Sequence, residues 1–207
     1  MGLFASFAKT WLKSQGWKVT GEVPKGKYVI IAWPHTTNWD LPYTVAVAQT
    51  LGFRIHWVGK HTLFEGPAGF FFKALGGVPV DRSKRSNSVQ AIADIINDYD
   101  GDMLLAVAPE GTRKSVEYWR SGFYHIAKAA GVGIVFGYLD YSTKTGGLGP
   151  VIDPSLGAKH VMDEARRFYG GKAGKYPQNH SPIRLREEAE EAKGQVHEPS
   201  EPADLAE

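Results

Sequence analysis

An α/β domain built on a mostly parallel central sheet flanked by helices, with an amphipathic helix added at the N-terminus, is the fold this 207-residue chain predicts. Two observations carry the prediction. Short β-branched runs bounded by turn residues alternate with segments of helical spacing, and the connections between them are only a few residues long. That alternation favours parallel strands joined by right-handed crossovers. Hydrophobic residues make up 43% of the chain and aromatics 12%, which suits one well-filled core and requires no second domain.

Residues 1–20 are the N-terminal amphipathic segment: Leu3, Phe4, Phe7, Ala8, Trp11 and Leu12 share a helical face, and Lys9 and Lys13 lie elsewhere on the wheel. Such a face packs on a core in the ordinary case, or lies in a membrane interface with its lysines toward anionic lipid. Residues 21–186 form the domain proper. A turn-rich stretch leads into residues 28–32, a buried strand closed by Pro34. Residues 38–51 read as a helix stopped by Gly52, and residues 54–58 as a strand. Residues 67–75 read as a short apolar helix, in which Phe70, Phe71 and Phe72 are expected to pack in the core. A strand over residues 78–80 follows, then a helix capped by Ser86 or Asn87 that ends near Asp100. Residues 103–108 form the next strand, Gly122–Ala130 a helix stopped by Gly131, residues 134–139 a strand, and Ala158–Tyr169 the last helix. Residues 187–207 are acidic and proline-bearing, and a disordered tail is expected there.

Composition narrows the function. Cysteine is absent, which excludes disulfides, thiolate metal sites and cysteine nucleophiles. No stretch approaches the roughly 18 uninterrupted apolar residues of a membrane span. Lys9 and Lys13 break any secretory signal, so a cytoplasmic location is expected. The net charge of +2 hides an asymmetry: residues 187–207 hold eight acids against Lys193 alone, leaving +9 on residues 1–186. Any one lysine is most simply a solvated surface group, but a basic body as a whole suits an anionic partner, such as lipid headgroups or a phosphorylated substrate. No basic helix or aromatic–basic repeat supports nucleic-acid binding, and none is expected.

Three polar clusters follow directly on strands, where ligands gather in sheets of this kind. The first runs from His35 to Asp40. Asp40 falls in the first turn of a helix, where the dipole favours a carboxylate, and from there it can reach one imidazole nitrogen and leave the other as a general base. Taken alone, an H-x-x-x-x-D pattern is more simply a helix cap beside a turn histidine. The second cluster is Asp81 and Arg82, followed by Ser83, Lys84 and Arg85: a phosphate shelf or a solvated turn. The third is Glu110, Gly111, Thr112 and Arg113. Here glycine permits a tight ligand loop and arginine offers a planar fork for phosphate, although a surface turn with a Glu–Arg pair would look the same. Residues 21–27 imitate a phosphate-binding loop, but Tyr28 stands where Ser or Thr is required and the segment precedes its strand. Gly131-x-Gly133 lacks a third glycine. There is no H-E-x-x-H and no G-x-S-x-G.

In order along the chain, His35 through Asp40, Gly76-Gly77-Val78-Pro79-Val80-Asp81-Arg82, Glu110 through Arg113 and the apolar stretch 131–137 resemble the four blocks of the PlsC-like glycerolipid acyltransferases, the 1-acyl-glycerol-3-phosphate acyltransferase family. The sequence departs from the family pattern at Pro34, Thr37 and Pro79, and the fourth block lacks its proline. All proton-transfer and phosphate-binding groups are kept. The resemblance implies that His35, oriented by Asp40, deprotonates a lysophospholipid hydroxyl that attacks an acyl thioester, either acyl-CoA or acyl carrier protein as co-substrate. It further implies that Arg113, Arg82 and Asp81, with Glu110, Gly111 and Thr112, bind the acceptor. No bound cofactor and no metal are expected. The expected setting is peripheral, on an anionic membrane surface at the inner face of the cell membrane. Acyl transfer to another hydroxylated lipid is a second reading, and a non-catalytic lipid-binding protein a third. A metal phosphoester hydrolase using His35, Asp40, Asp81 and Glu110 is the rival enzyme.

Overall fold

A computed structural model describes residues 2–80 and 85–188. Among these the strands are β1 (Lys18–Thr20), β2 (Lys27–Ala32), β3 (Ile55–Lys60), β4 (Gly77–Val80), β5 (Met103–Val107), β6 (Gly133–Asp140) and β7 (Thr145–Ile152). They form one sheet in the order β1-β7-β6-β2-β5-β3-β4. From β6 to β4 every pairing is parallel; β7 runs antiparallel to β6, and β1 pairs with β7 in parallel.

The helices are α1 (Leu3–Ser14), α2 (Asp40–Leu51), α3 (Ala68–Ala74), α4 (Arg85–Asp98), α5 (Gly122–Ala130) and α6 (Ala158–Tyr169). Side-chain alternation in the strands assigns them to layers. Val29 and Ile31 of β2 and Leu105 of β5 join Ile96, Phe123, Met162 and Tyr169 in the larger core, beneath α4, α5 and α6. Ile30 and Leu104 point the other way, to Ala48 of α2 and Leu148 of β7. On that second face α1 buries Ala8 and Leu12 against Ala46 and Val47 of α2. Toward its N-terminus α1 is bare: Leu3, Phe4 and Phe7 are 94%, 55% and 67% exposed.

Two features depart from the sequence reading. β7 and the short β1 are absent from it, because β7 carries three glycines and Pro150, a weak strand signal. Close packing requires those glycines: a Cβ on Gly147 would collide with the Thr20 carbonyl, and one on Gly149 with the Phe168 ring. The second departure is in α3. Only Phe72 packs, against Trp57 and Phe64, while Phe70 and Phe71 lie 83% and 60% exposed and make no core. Glu188 pairs with Arg166 at 2.9 Å, and Glu187 accepts from Ser121. Residues 189–207 of the expected tail lie outside the described residues.

Candidate active site

The sheet register sets Ile31 opposite Val107 and Ala32 opposite Gly137, so β2 and β5 end side by side while β6 continues to Asp140. Tyr169, fully buried on α6, clamps this end by donating its hydroxyl to the carbonyls of Ile31 at 2.8 Å and Gly137 at 3.2 Å. The Trp33–Pro34 peptide beyond β2 is cis. His35 follows it, and Asp40 opens α2.

Asp40 is buried and saturated with donors. Its Oδ2 accepts from His35 Nδ1 at 3.1 Å and from the main-chain N–H groups of Thr36 and Thr37 at 2.9 and 3.0 Å. Its Oδ1 accepts from the Tyr141 hydroxyl at 2.8 Å. A carboxylate offers only lone pairs, so the hydrogen-bond network assigns the imidazole proton to Nδ1 and leaves Nε2 with its lone pair. The His35 side chain is 26% exposed, so that lone pair can be reached from solvent. Burial, reinforced by the Asp40 charge, pushes the Tyr141 hydroxyl far above its ordinary range, and it stays a donor at any working pH.

The loop after β5 divides its polar groups between inside and outside. Glu110, 1% exposed, turns inward, where its Oε1 accepts from Trp33 Nε1 at 3.3 Å. Its Oε2 is buried without a partner of full hydrogen-bond geometry, although the Ser181 hydroxyl and the His35 main chain lie near enough to favour its charge. Burial is the largest influence and raises the Glu110 carboxyl above its ordinary value, against the opposing pull of hydrogen bonding from Ser181, Trp33 and the His35 main chain. Gly111 takes φ +65° and donates its N–H to the Ala108 carbonyl at 3.1 Å, so this donor is committed to the turn. Thr112 is half-buried. Arg113 stands exposed and forms no ion pair among the described residues. Asp81 and Arg82 lie outside the described residues.

A segment with no signal in the sequence completes the site. Residues 171–188 return from α6 across both loops. Ala173 accepts from Tyr141 N–H at 2.8 Å, and Tyr176 N–H donates to Thr36 Oγ1 at 3.2 Å. Ser115 Oγ donates to the His180 carbonyl at 2.8 Å, and Val116 N–H to Ser181 Oγ at 3.0 Å. Burial holds the His180 imidazole below its ordinary value, which suits its role as acceptor of the Gly174 N–H at 2.7 Å. Lys175 sits 5.5 Å above the exposed ring of Trp39. These residues are far from the motifs along the chain, and no spacing rule reaches them. The polar pair Asp140-Tyr141 at the end of β6 was the one available hint.

Behind His35 and Asp40 a narrow cavity of about 50 Å³ runs between α2 and the sheet, lined by Ile30, Val47, Ala48 and Leu148 among others. Among the described residues no cluster of three His, Asp or Glu side chains is placed to hold a metal ion, and no helix is long and apolar enough to cross a membrane.

A buried carboxylate thus holds a reachable imidazole beyond β2, and an exposed arginine follows β5. Comparison with known proteins gives the chain a family. Residues 17–136, more than half of the chain, match the family model described as Acyltransferase. The chain belongs to the acyltransferase family. In fold the acyltransferase is similar to the crystal structure of PlsC, the 1-acyl-sn-glycerophosphate (LPA) acyltransferase of Thermotoga maritima. The TM-score is 0.56 at 17% identity, over 80% of this chain and 76% of that one, a likeness of fold. No protein of curated function matches the acyltransferase. The matched residues include His35, Asp40 and the loop 110–113, whereas Tyr141 and residues 171–188 lie beyond them.

Proposed function

We infer that this acyltransferase moves a fatty acyl group from an acyl thioester, carried by coenzyme A or acyl carrier protein, to the hydroxyl of a lysophospholipid, foremost 1-acyl-glycerol-3-phosphate. The observation that carries this reading is the Asp40–His35 hydrogen bond, which fixes Nε2 as the basic nitrogen at the carboxyl ends of β2 and β5. The acceptor O–H gives its proton to Nε2 as its oxygen bonds to the thioester carbonyl carbon. The tetrahedral intermediate then collapses, the C–S bond breaks, and the departing thiolate takes the proton back from the imidazolium. No acyl-enzyme is required.

Arg113, exposed and unpaired by any acid among the described residues, is the group available for the acceptor phosphate. Glu110, buried against Trp33, serves to fix the loop that carries Arg113. Main-chain donors near Thr112 are the candidates for the oxyanion, because the Gly111 N–H is already committed. The bare face of α1 and the basic body suit peripheral attachment to the cytoplasmic face of an anionic membrane.

The test is a panel of acyl-CoA and acyl carrier protein donors against lysophospholipids and other hydroxylated lipids, read by thiol release and product mass. A new ester on a lysophospholipid is expected with wild type. His35→Ala is expected to lose at least ~10²-fold in turnover, the range of a lost general base, with an unchanged melting temperature. Near-normal turnover in His35→Ala would overturn the mechanism, and products confined to other hydroxylated lipids would overturn the acceptor.

A further inference from the structure

We propose that Tyr141 is a positioning residue of the His35–Asp40 pair, its hydroxyl holding the carboxylate oxygen that the imidazole does not use. The proposal rests on the reading of His35 as the general base. Asp40 Oδ2 already has three donors, all from the turn that precedes α2. Oδ1 has the Tyr141 hydroxyl at 2.8 Å, delivered from the end of β6, 101 residues along the chain. The terminal torsion of an aspartate is soft, so a second anchored oxygen is what keeps the carboxylate plane from swinging away from the imidazole.

Tyr141 is itself held on several sides. Its N–H donates to the Ala173 carbonyl at 2.8 Å. Its ring stands edge-on to Trp17 at 5.0 Å and to Tyr43 at 5.8 Å, and Tyr43 packs in turn on Trp17 at 4.6 Å and Trp11 at 4.8 Å. A stack drawn from α1, the approach to β1, α2 and the turn after β6 thus aims one hydroxyl at one carboxylate oxygen. Loss of the hydroxyl leaves Asp40 with a less dispersed charge and a freer plane. A less dispersed charge favours the imidazolium over the basic imidazole. The titratable and charged groups on the elements packed around the pair include Tyr43 on α2, Glu110 and Arg113 after β5, Asp140 at the end of β6, and Lys175, Tyr176 and His180 on the returning segment; none of them changes in the variant.

The experiment compares Tyr141→Phe, which keeps the ring stack, with wild type and His35→Ala. For Tyr141→Phe, kcat is expected to fall about tenfold, the scale of one hydrogen bond to a charged group. KM for acceptor and thioester should stay unchanged, and the acid limb of the rate profile should move to higher pH. The NMR signal of the His35 ring proton is expected to shift as well, a readout that needs no substrate. If His35→Ala is inactive while Tyr141→Phe keeps its kcat, its acid limb and its His35 signal, the positioning role is wrong and the base assignment survives. An unchanged His35 signal overturns the role whatever His35→Ala does.

Discussion

Trp33 Nε1 donates to Glu110 Oε1 at 3.3 Å, both side chains being almost wholly buried, and this bond ties the residue after β2 to the loop after β5. The two loops that carry His35 and Arg113 are therefore joined from inside the protein, by groups that do not face solvent. The cost of the arrangement is a desolvated carboxyl, and it makes the stability of the protein depend on pH in a particular direction.

Burial raises the Glu110 carboxyl above its ordinary value of 4.5. Between 4.5 and the raised value the native state holds this proton more often than the unfolded chain does. Stability attributable to Glu110 therefore falls as pH rises through that window, and is level above it. Glu110→Gln has no proton to lose. Melting temperatures of wild type and Glu110→Gln across that range should show wild type losing ground to the variant as pH rises, with no further divergence toward neutrality. A constant gap between the two would mean that Glu110 is no more desolvated folded than unfolded.

Arg113 presents the opposite case, an exposed cation with no acid to neutralise it among the described residues. If it holds the acceptor phosphate, Arg113→Ala removes charge-assisted hydrogen bonds of about 1.5–3 kcal/mol each, which corresponds to roughly 10- to 100-fold in KM for the acceptor. The thioester KM and the melting temperature should hardly move. Arg113→Lys should recover part of the loss, because lysine keeps the charge and lacks the fork. Steady-state kinetics with each substrate varied in turn decides this; a loss confined to the thioester KM would place Arg113 on the donor instead.

The α/β class could be read from the sequence because β2 and β6 hold β-branched runs, β5 is an apolar run, and Gly52 and Gly131 mark two helix ends in the left-handed conformation. β7 could not, because the contacts that give its glycines their purpose, with Thr20 and Phe168, are made only after folding. The site shows the same division. His35 and Asp40 are five residues apart, and the turn that precedes α2 brings them together. Tyr141, Ser181 and His180 reach the same place through sheet order and a returning segment, and no periodicity encodes that. Phe70 and Phe71 illustrate the limit from the other side, since an apolar run read as core is exposed on α3.

α1 carries the last prediction. Ala8 and Leu12 fasten it to α2, whereas Leu3, Phe4 and Phe7 face solvent. Replacing those three with serine should leave the fold intact, because each is already largely in water. Insertion of each side chain into a bilayer interface contributes up to about 1.5–3 kcal/mol, so the triple variant should lose at least ~10²-fold in vesicle affinity. Co-sedimentation with vesicles of anionic phospholipid is the direct measurement, with melting temperature as the control. Wild type should bind such vesicles more tightly than zwitterionic ones, by an amount that shrinks as salt is added, because Lys9 and Lys13 and the basic body act through screened charge. Equal binding by wild type and the triple variant would remove α1 from the membrane contact and leave the exposed phenylalanines of α3 as the surface to substitute next.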